Sequence, residues 1–226
     1  MKLILTLMLF ACALVSPAYA ATDSGLGNRI ADIQHRWARI SYQMPEGQRA
    51  DAFDKLEKRA DALTSEYPDR VEPRVWKAIV LSSHAAVAGP FSALKMAERA
   101  RDLLLEAEQK DPTALNGSIP TSLGTLYAKV PGWPLGFGSD DKARAYFHKA
   151  LKVNPDGLDP NYFYGQFLYD QGDYRGALEH LRKALDAPDR PGRPLADKGR
   201  RQQARALMAK AQSELGSHDA VAGFTR

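Results

Sequence analysis

Five histidines are the natural place to look for chemistry, at positions 35, 84, 148, 180 and 218. No two of them share the H-E-x-x-H spacing that sets two imidazoles on one helix face around a metal. His148 and His180 read as surface residues of second helices. Cys12 is the only cysteine and lies in an apolar leader, so a mature chain without that leader has no thiol nucleophile, thiolate metal site or disulfide. Gly132 to Gly138 is glycine-rich but lacks the lysine and hydroxyl residue of a phosphate loop. Asp140-Asp141 is explained as the acidic start of a helix. No catalytic constellation can be assembled, and neither an enzyme, a metal nor a cofactor is expected.

Residues suited to binding are more plentiful. The stretch Val130-Pro131-Gly132-Trp133-Pro134-Leu135-Gly136-Phe137-Gly138 combines turn formers with two aromatics. Prolines and glycines fix its path, while Trp133 and Phe137 are costly to leave in water. Either these rings tuck under the loop and seal a local core, or the loop walls a binding site. A second cluster is Tyr162-Phe163-Tyr164 with Phe167 and Tyr169. In a helical reading Tyr162, Gln166 and Tyr169 share a face, as do Thr121, Thr125 and Lys129 on the preceding first helix. The expectation is one site, in which Trp133 or Phe137 meets Tyr162, Gln166 or Tyr169 across a groove.

The third group is basic. Arg190, Arg193, Lys198, Arg200 and Arg201 crowd the turn before the last helix, and from Arg190 onward eight Lys/Arg face three Asp/Glu. Such a turn can hold a carboxylate or phosphate. It can equally form salt bridges to the preceding helix or satisfy its terminal carbonyls. No aromatic residue interleaves this run, and with an export leader nucleic acid is not expected as a partner.

These residues must be positioned by helices. Ala143, Phe147, Ala150 and Leu151 recur as Ala177, Leu181, Ala184 and Leu185, each 34 positions on. Small residues let two helices approach, and the larger apolar one fills the space between them. A looser copy, Ala100-x3-Leu104-x2-Ala107, ends at Pro112, and Trp37-x2-Ile40 and Trp76-x2-Ile79 open further apolar stripes. The pattern predicts nine helices, over 24–43, 47–66, 73–88, 91–110, 115–129, 140–153, 160–171, 174–187 and 195–214. In the last, Leu195, Leu207, Met208 and Ala211 would cover the preceding repeat while Arg200, Arg201 and Arg205 face water.

With Leu123-Gly124-x2-Tyr127 before it and Pro155 after it, this period resembles the tetratricopeptide family. Pro120 and Asn161 stand where that family usually has a first-helix tryptophan. The resemblance implies an all-α, right-handed superhelix of about four antiparallel helix pairs plus a C-terminal capping helix. It also implies a concave groove that engages a protein or peptide partner. The family's lysine–asparagine clamp for C-terminal carboxylates is not matched, because Tyr162/Gln166 and Thr121/Thr125 occupy those places. Between Tyr127 and Ala143 the chain carries about seven residues more than the ordinary repeat. Tyr127, that insertion, Ser139-Asp140-x-Lys142-Ala143 and Pro155 look like the T-component proteins associated with TRAP transporters, which implies assistance in the uptake of a small organic ligand.

Residues 1–20 read as an export signal. Lys2 precedes an apolar run, and Ala18-Tyr19-Ala20 supplies the small-x-small cleavage pattern. The protein is thus expected in the periplasm or secreted, with the alternative of a lipoprotein anchored through Cys12. The remaining organisation is a repeat domain over 21–214 and a flexible tail over 215–226.

Overall fold

The computed structural model describes the backbone of residues 17–224 and the side chains of residues 25–216. The leader at 1–20, with Cys12 and the Ala18-Tyr19-Ala20 side chains, falls outside the described side chains, as does most of the expected tail. Among the described residues there are nine helices: α1 (Pro17–Gln43), α2 (Glu46–Glu66), α3 (Val71–Ala85), α4 (Pro90–Lys110), α5 (Ala114–Lys129), α6 (Asp140–Val153), α7 (Leu158–Asp170), α8 (Tyr174–Asp186) and α9 (Pro194–Phe224). The sequence-derived helices match these within about three residues, except that α1 begins at Pro17, ahead of the expected 24, and α9 continues past 214.

Each boundary has a local cause. Ser139 accepts a hydrogen bond from the Lys142 amide at the start of α6, with Asp140 and Asp141 in the first turn. Asp173 accepts from the Gly176 amide at the start of α8, after Gly172 turns the chain at φ +79°. The repeated small and large residues are the pair contacts. Ala143, Ala150, Ala177 and Ala184 are fully buried, as are Phe147 and Leu181. Phe147 packs on Gly124, where a Cβ would lie 2.9 Å from the ring, and Leu181 packs on Gly165, where it would lie 3.1 Å away. Those two glycines are 41 positions apart, the repeat's 34 lengthened by the seven inserted residues of the loop.

One helix departs from expectation. Leu115, Asn116 and Gly117 are left-handed, with φ of +53°, +55° and +86°, so the regular turns of α5 begin only after them. The kink explains Pro120, which lies in the first regular turn, where a missing amide is tolerated. The freed carbonyls are satisfied: Thr121 Oγ1 donates to Gly117 O at 2.7 Å, and Asn154 Nδ2 donates to Asn116 O at 3.2 Å.

The order of packing decides the shape. Consecutive helices pair as α1–α2, α3–α4, α5–α6 and α7–α8. The first helices also touch one another in series, α1–α3, α3–α5 and α5–α7, and α9 continues the series by packing on α7. It then reaches α1 as well. The capping helix therefore does more than cover the last repeat: it joins the two ends of the array, and α1, α3, α5, α7 and α9 form a closed inner ring. At the junction Leu195 and Ala196 enter the apolar cluster of Trp37 and Trp76, and His35 Nε2 lies 2.7 Å from Gly192 O.

Candidate functional site: a ring-bounded chamber with an arginine cluster

The inner ring surrounds a half-open chamber of about 550 Å3. Every helix of the ring contributes to its wall, whereas α4, α6 and α8 contribute nothing. One part is apolar, built from Trp37, Phe53, Trp76, Ile79 and Val87. Trp37 meets Trp76 edge-on at 6.2 Å, and Trp37 Nε1 donates to Ser83 Oγ at 2.8 Å, which fixes both indoles. A second part is a band of small polar side chains, including Ser82, Ser118, Thr121, Ser122 and Thr125. Leu115, Asn116 and Gly117 also line the chamber, so the left-handed segment of α5 lies in its wall. For Leu115 and Asn116, which unlike Gly117 carry a Cβ, backbone held in that region costs about 1–3 kcal/mol per residue and persists only where the surroundings fix it.

The third part is the arginine cluster. The turn between α8 and α9 brings Arg190 and Arg193 to the wall, and α9 adds Arg200. Arg190 spans two carboxylates, Asp159 Oδ2 at 2.5 Å and Asp197 Oδ1 at 2.5 Å, and its own amide donates to Asp197 Oδ2 at 2.8 Å. Arg200 Nε donates to Asp159 Oδ1 at 2.8 Å and its Nη1 to Gln203. Burial pushes the Asp159 carboxyl up, but Arg200, Arg190 and Arg193 together overrule it and hold the group well below the usual carboxylate range. Burial depresses Arg190, and Asp159 and Asp197 outweigh it and raise the guanidinium. For Arg193 the same two carboxylates do not make up the loss, so burial, with the nearby Arg190 charge, lowers it. Arg200 also stacks on Tyr162 at 4.6 Å and Phe163 at 4.3 Å.

The basic residues thus divide. Arg190, Arg200 and Arg201 make salt bridges, Arg201 to Asp189 and to the Ala187 carbonyl at the end of α8. Lys198 is exposed, and Arg193 lines the chamber. Arg200 does not face water as the helical pattern suggested; it is 7% exposed, because α9 is covered on two sides by α7 and α1.

The predicted single aromatic site does not form. Phe137 packs edge-on to Tyr127 at 5.6 Å, with Arg101 of α4 over its other face at 4.4 Å. Trp133 is 90% exposed and Leu135 73%. Among the described residues neither loop aromatic makes a ring contact with Tyr162 or Tyr169. The reason is the loop's own anchoring. Gly138 N donates to Pro131 O and Ser139 N to Tyr127 O, and Gly136 sits against Leu94, which ties the loop to the outer helix α4. The two halves of the sequence reading are therefore divided: Phe137 seals a local core, and Trp133 is presented outward.

On α7 the groove face is one step away from its predicted position. Asp159, Pro160 and Phe163 line the chamber. Tyr162 instead packs into the cluster of Leu158, Leu181, Ala184 and Ala204, and Tyr169 pairs with Tyr174 at 5.5 Å. Gln166 is half-buried and outside the lining. On α5 Thr121 and Thr125 do line the chamber, whereas Lys129 lies outside the lining and pairs with Asp170. Asn161 is fully buried; its Nδ2 donates to Pro155 O and Gly157 O and its Oδ1 lies 2.9 Å from His180 Nδ1, so it fastens the α6–α7 turn. His148 lies 3.0 Å from Tyr164 O–H. Among the described residues no group of three or more His, Cys, Asp or Glu is arranged to hold a metal, and no helix is long and apolar enough to cross a membrane.

No family model and no curated protein matches the chain. Solved structures do. A thermophilic TPR protein from Thermus thermophilus superposes with a TM-score of 0.52 at 18% identity, over 84% of this chain and 96% of that one. At that identity the likeness speaks for the fold: this chain is an all-helical, tetratricopeptide-like repeat array.

Proposed function

We propose that this chain is a non-catalytic binding protein whose ligand occupies the chamber inside the ring of helices. One observation carries the reading: α9 touches both α7 and α1, so the concave side is bounded by a ring of helices where an open array would offer a groove. An open groove gives length to an extended peptide. A chamber of about 550 Å3 lies in the size range of small-molecule sites, and its wall combines an apolar aromatic side with fixed polar and charged groups. The T-component-like role, assistance in the uptake of a small organic ligand, is the most specific form of this reading. Export of the mature chain belongs with it and rests on Ala18-Tyr19-Ala20. Mass spectrometry of protein from its host is expected to find a chain starting at Ala21; a lipid on Cys12 would move the protein to a membrane surface instead.

The test of the chamber uses a neutral apolar dye, N-phenyl-1-naphthylamine, with the full chain. Its fluorescence should rise on binding. Ser122→Trp, which fills the chamber from α5, should abolish the rise without lowering the melting temperature. Equal dye binding by both proteins would place the dye elsewhere and overturn the reading.

A protein partner is the second reading, and the outer surface supports it. Phe91 at the start of α4 is 92% exposed, and Trp133 and Leu135 are presented by the loop that packs on the same helix. Large exposed apolar side chains of this kind are typical of interaction surfaces. Trp133→Ser should weaken capture of such a partner and leave dye binding unchanged.

A further inference from the structure

We propose that the chamber is a site for an organic carboxylate, a singly charged acid with an apolar body, and that Arg193 holds its carboxyl group. The inference rests on the reading that a ligand enters the chamber, and adds the chemical class.

The argument begins with acceptors. Of the four arginines that line the chamber, Arg190, Arg193 and Arg200 stand together and two carboxylates face them, Asp159 and Asp197; Arg49 and Asp156, also at the wall, add one charge of each sign. All four carboxylate oxygens are already engaged. Asp159 Oδ1 accepts from Arg200, and Asp159 Oδ2 and Asp197 Oδ1 from the Arg190 guanidinium. Asp197 Oδ2 accepts from the Arg190 amide. Arg193 is the one member of the cluster that neither carboxylate pairs: it makes no side-chain hydrogen bond and no ion pair among the described residues. Its Nε is sealed from solvent without a partner, while its terminal amino groups remain accessible at the chamber wall.

A guanidinium does not escape this situation by losing its proton. Asp159 and Asp197 act on Arg193 only from beyond hydrogen-bond distance and do not offset its burial, so an anion in direct contact would be stabilised there. The contact that Arg193 does make is with Trp76, 5.2 Å from the ring centre, a cation–π contact that uses none of its N–H donors. Those donors form the fork that matches a carboxylate with two parallel hydrogen bonds. The unmatched charge is one, which favours a monoanion. The remainder of the ligand is read from the apolar side of the chamber, where Trp37, Phe53 and Ile79 offer an indole, a phenyl ring and a branched chain. Inorganic phosphate would satisfy the arginine and leave that surface wet.

The experiment compares octanoate, 4-phenylbutanoate, the neutral 4-phenylbutanamide and inorganic phosphate, by calorimetry and by displacement of the neutral dye from the full chain. At least one acid is expected to bind and displace the dye. The amide of the same skeleton should bind about tenfold or more weakly, since a charge-assisted pair is lost. Arg193→Gln should weaken the acid by a similar factor and the amide by much less. An unchanged helical circular-dichroism spectrum and melting temperature would show that the variant is folded. Ser122→Trp should exclude acid and dye alike. Equal affinity for acid and amide would overturn the carboxylate assignment while the chamber stands. So would phosphate binding more tightly than either acid, or neither acid binding to a protein that takes the dye. Failure of the dye as well would overturn the chamber reading itself.

Discussion

Gly199 of α9 lies against the ring of Tyr42 of α1, so close that a Cβ on the glycine would overlap the ring carbons. This contact joins the last helix to the first. Tyr42 is also edge-on to Trp37 at 5.8 Å, so the glycine seats the aromatic group that forms the chamber's apolar wall. Burial raises the Tyr42 phenol, in keeping with a ring held inside the junction.

Gly199→Val should therefore break the ring open. The new side chain has nowhere to go without displacing Tyr42, and overpacking of this kind costs about 1–3 kcal/mol. Denaturant melts should show the loss, and small-angle scattering should show a larger particle. An unchanged midpoint together with unchanged scattering would mean that the two ends are not held together through this pair.

Ala150→Leu tests the repeat contact. Ala150 is fully buried where α6 meets α5, and a leucine there should destabilise by about 1–3 kcal/mol. Ala184→Leu should behave in the same way one repeat on, since Ala184 is equally buried. A neutral result at both positions would refute the shared packing.

Asp159 should give the protein an acid-sensitive component. Its carboxyl is held below the ordinary range, so the stabilisation is complete above the unfolded-state pKa of about 3.9 and is lost as pH falls toward the folded-state value. Asp159→Asn should flatten the dependence of stability on pH below about 4. At neutral pH, Asp159→Ala should cost about 3–5 kcal/mol, because it strands Arg200 and half of Arg190's pairing. A variant with the slope of the parent would show that another carboxylate dominates acid unfolding.

The two loop aromatics should separate cleanly. Phe137→Ala removes a ring held between Tyr127 and Arg101 and should lower stability by more than about 1 kcal/mol. Trp133→Ser, at a 90% exposed position, should change it by no more than about 0.5 kcal/mol. Similar losses in the two variants would place Trp133 in the core.

The sequence by itself determined the helices and their pairing. A 34-residue recurrence of small and large apolar residues is a local signal, because each helix meets its pair partner across a short connection, and Ala143, Phe147 and Ala150 reappear at the predicted contacts. It also marked Arg190, Arg193 and Arg200 as a group, since they are close in the chain. It could not say which of the three stays unpaired. That depends on Asp159, which lies 31 positions before Arg190 and reaches it only through the packing of α7 against α9. The one-step error on α7 has a similar origin. Tyr162 and Phe163 are adjacent and both aromatic, and which of them faces the chamber depends on how α8 and α9 rotate the helix, to which periodicity is blind. The closure of the ring was least visible of all. Each repeat adds a small rotation, and whether the sum brings α9 back to α1 is a property of the whole stack, fixed at the junction by a glycine small enough to admit Tyr42.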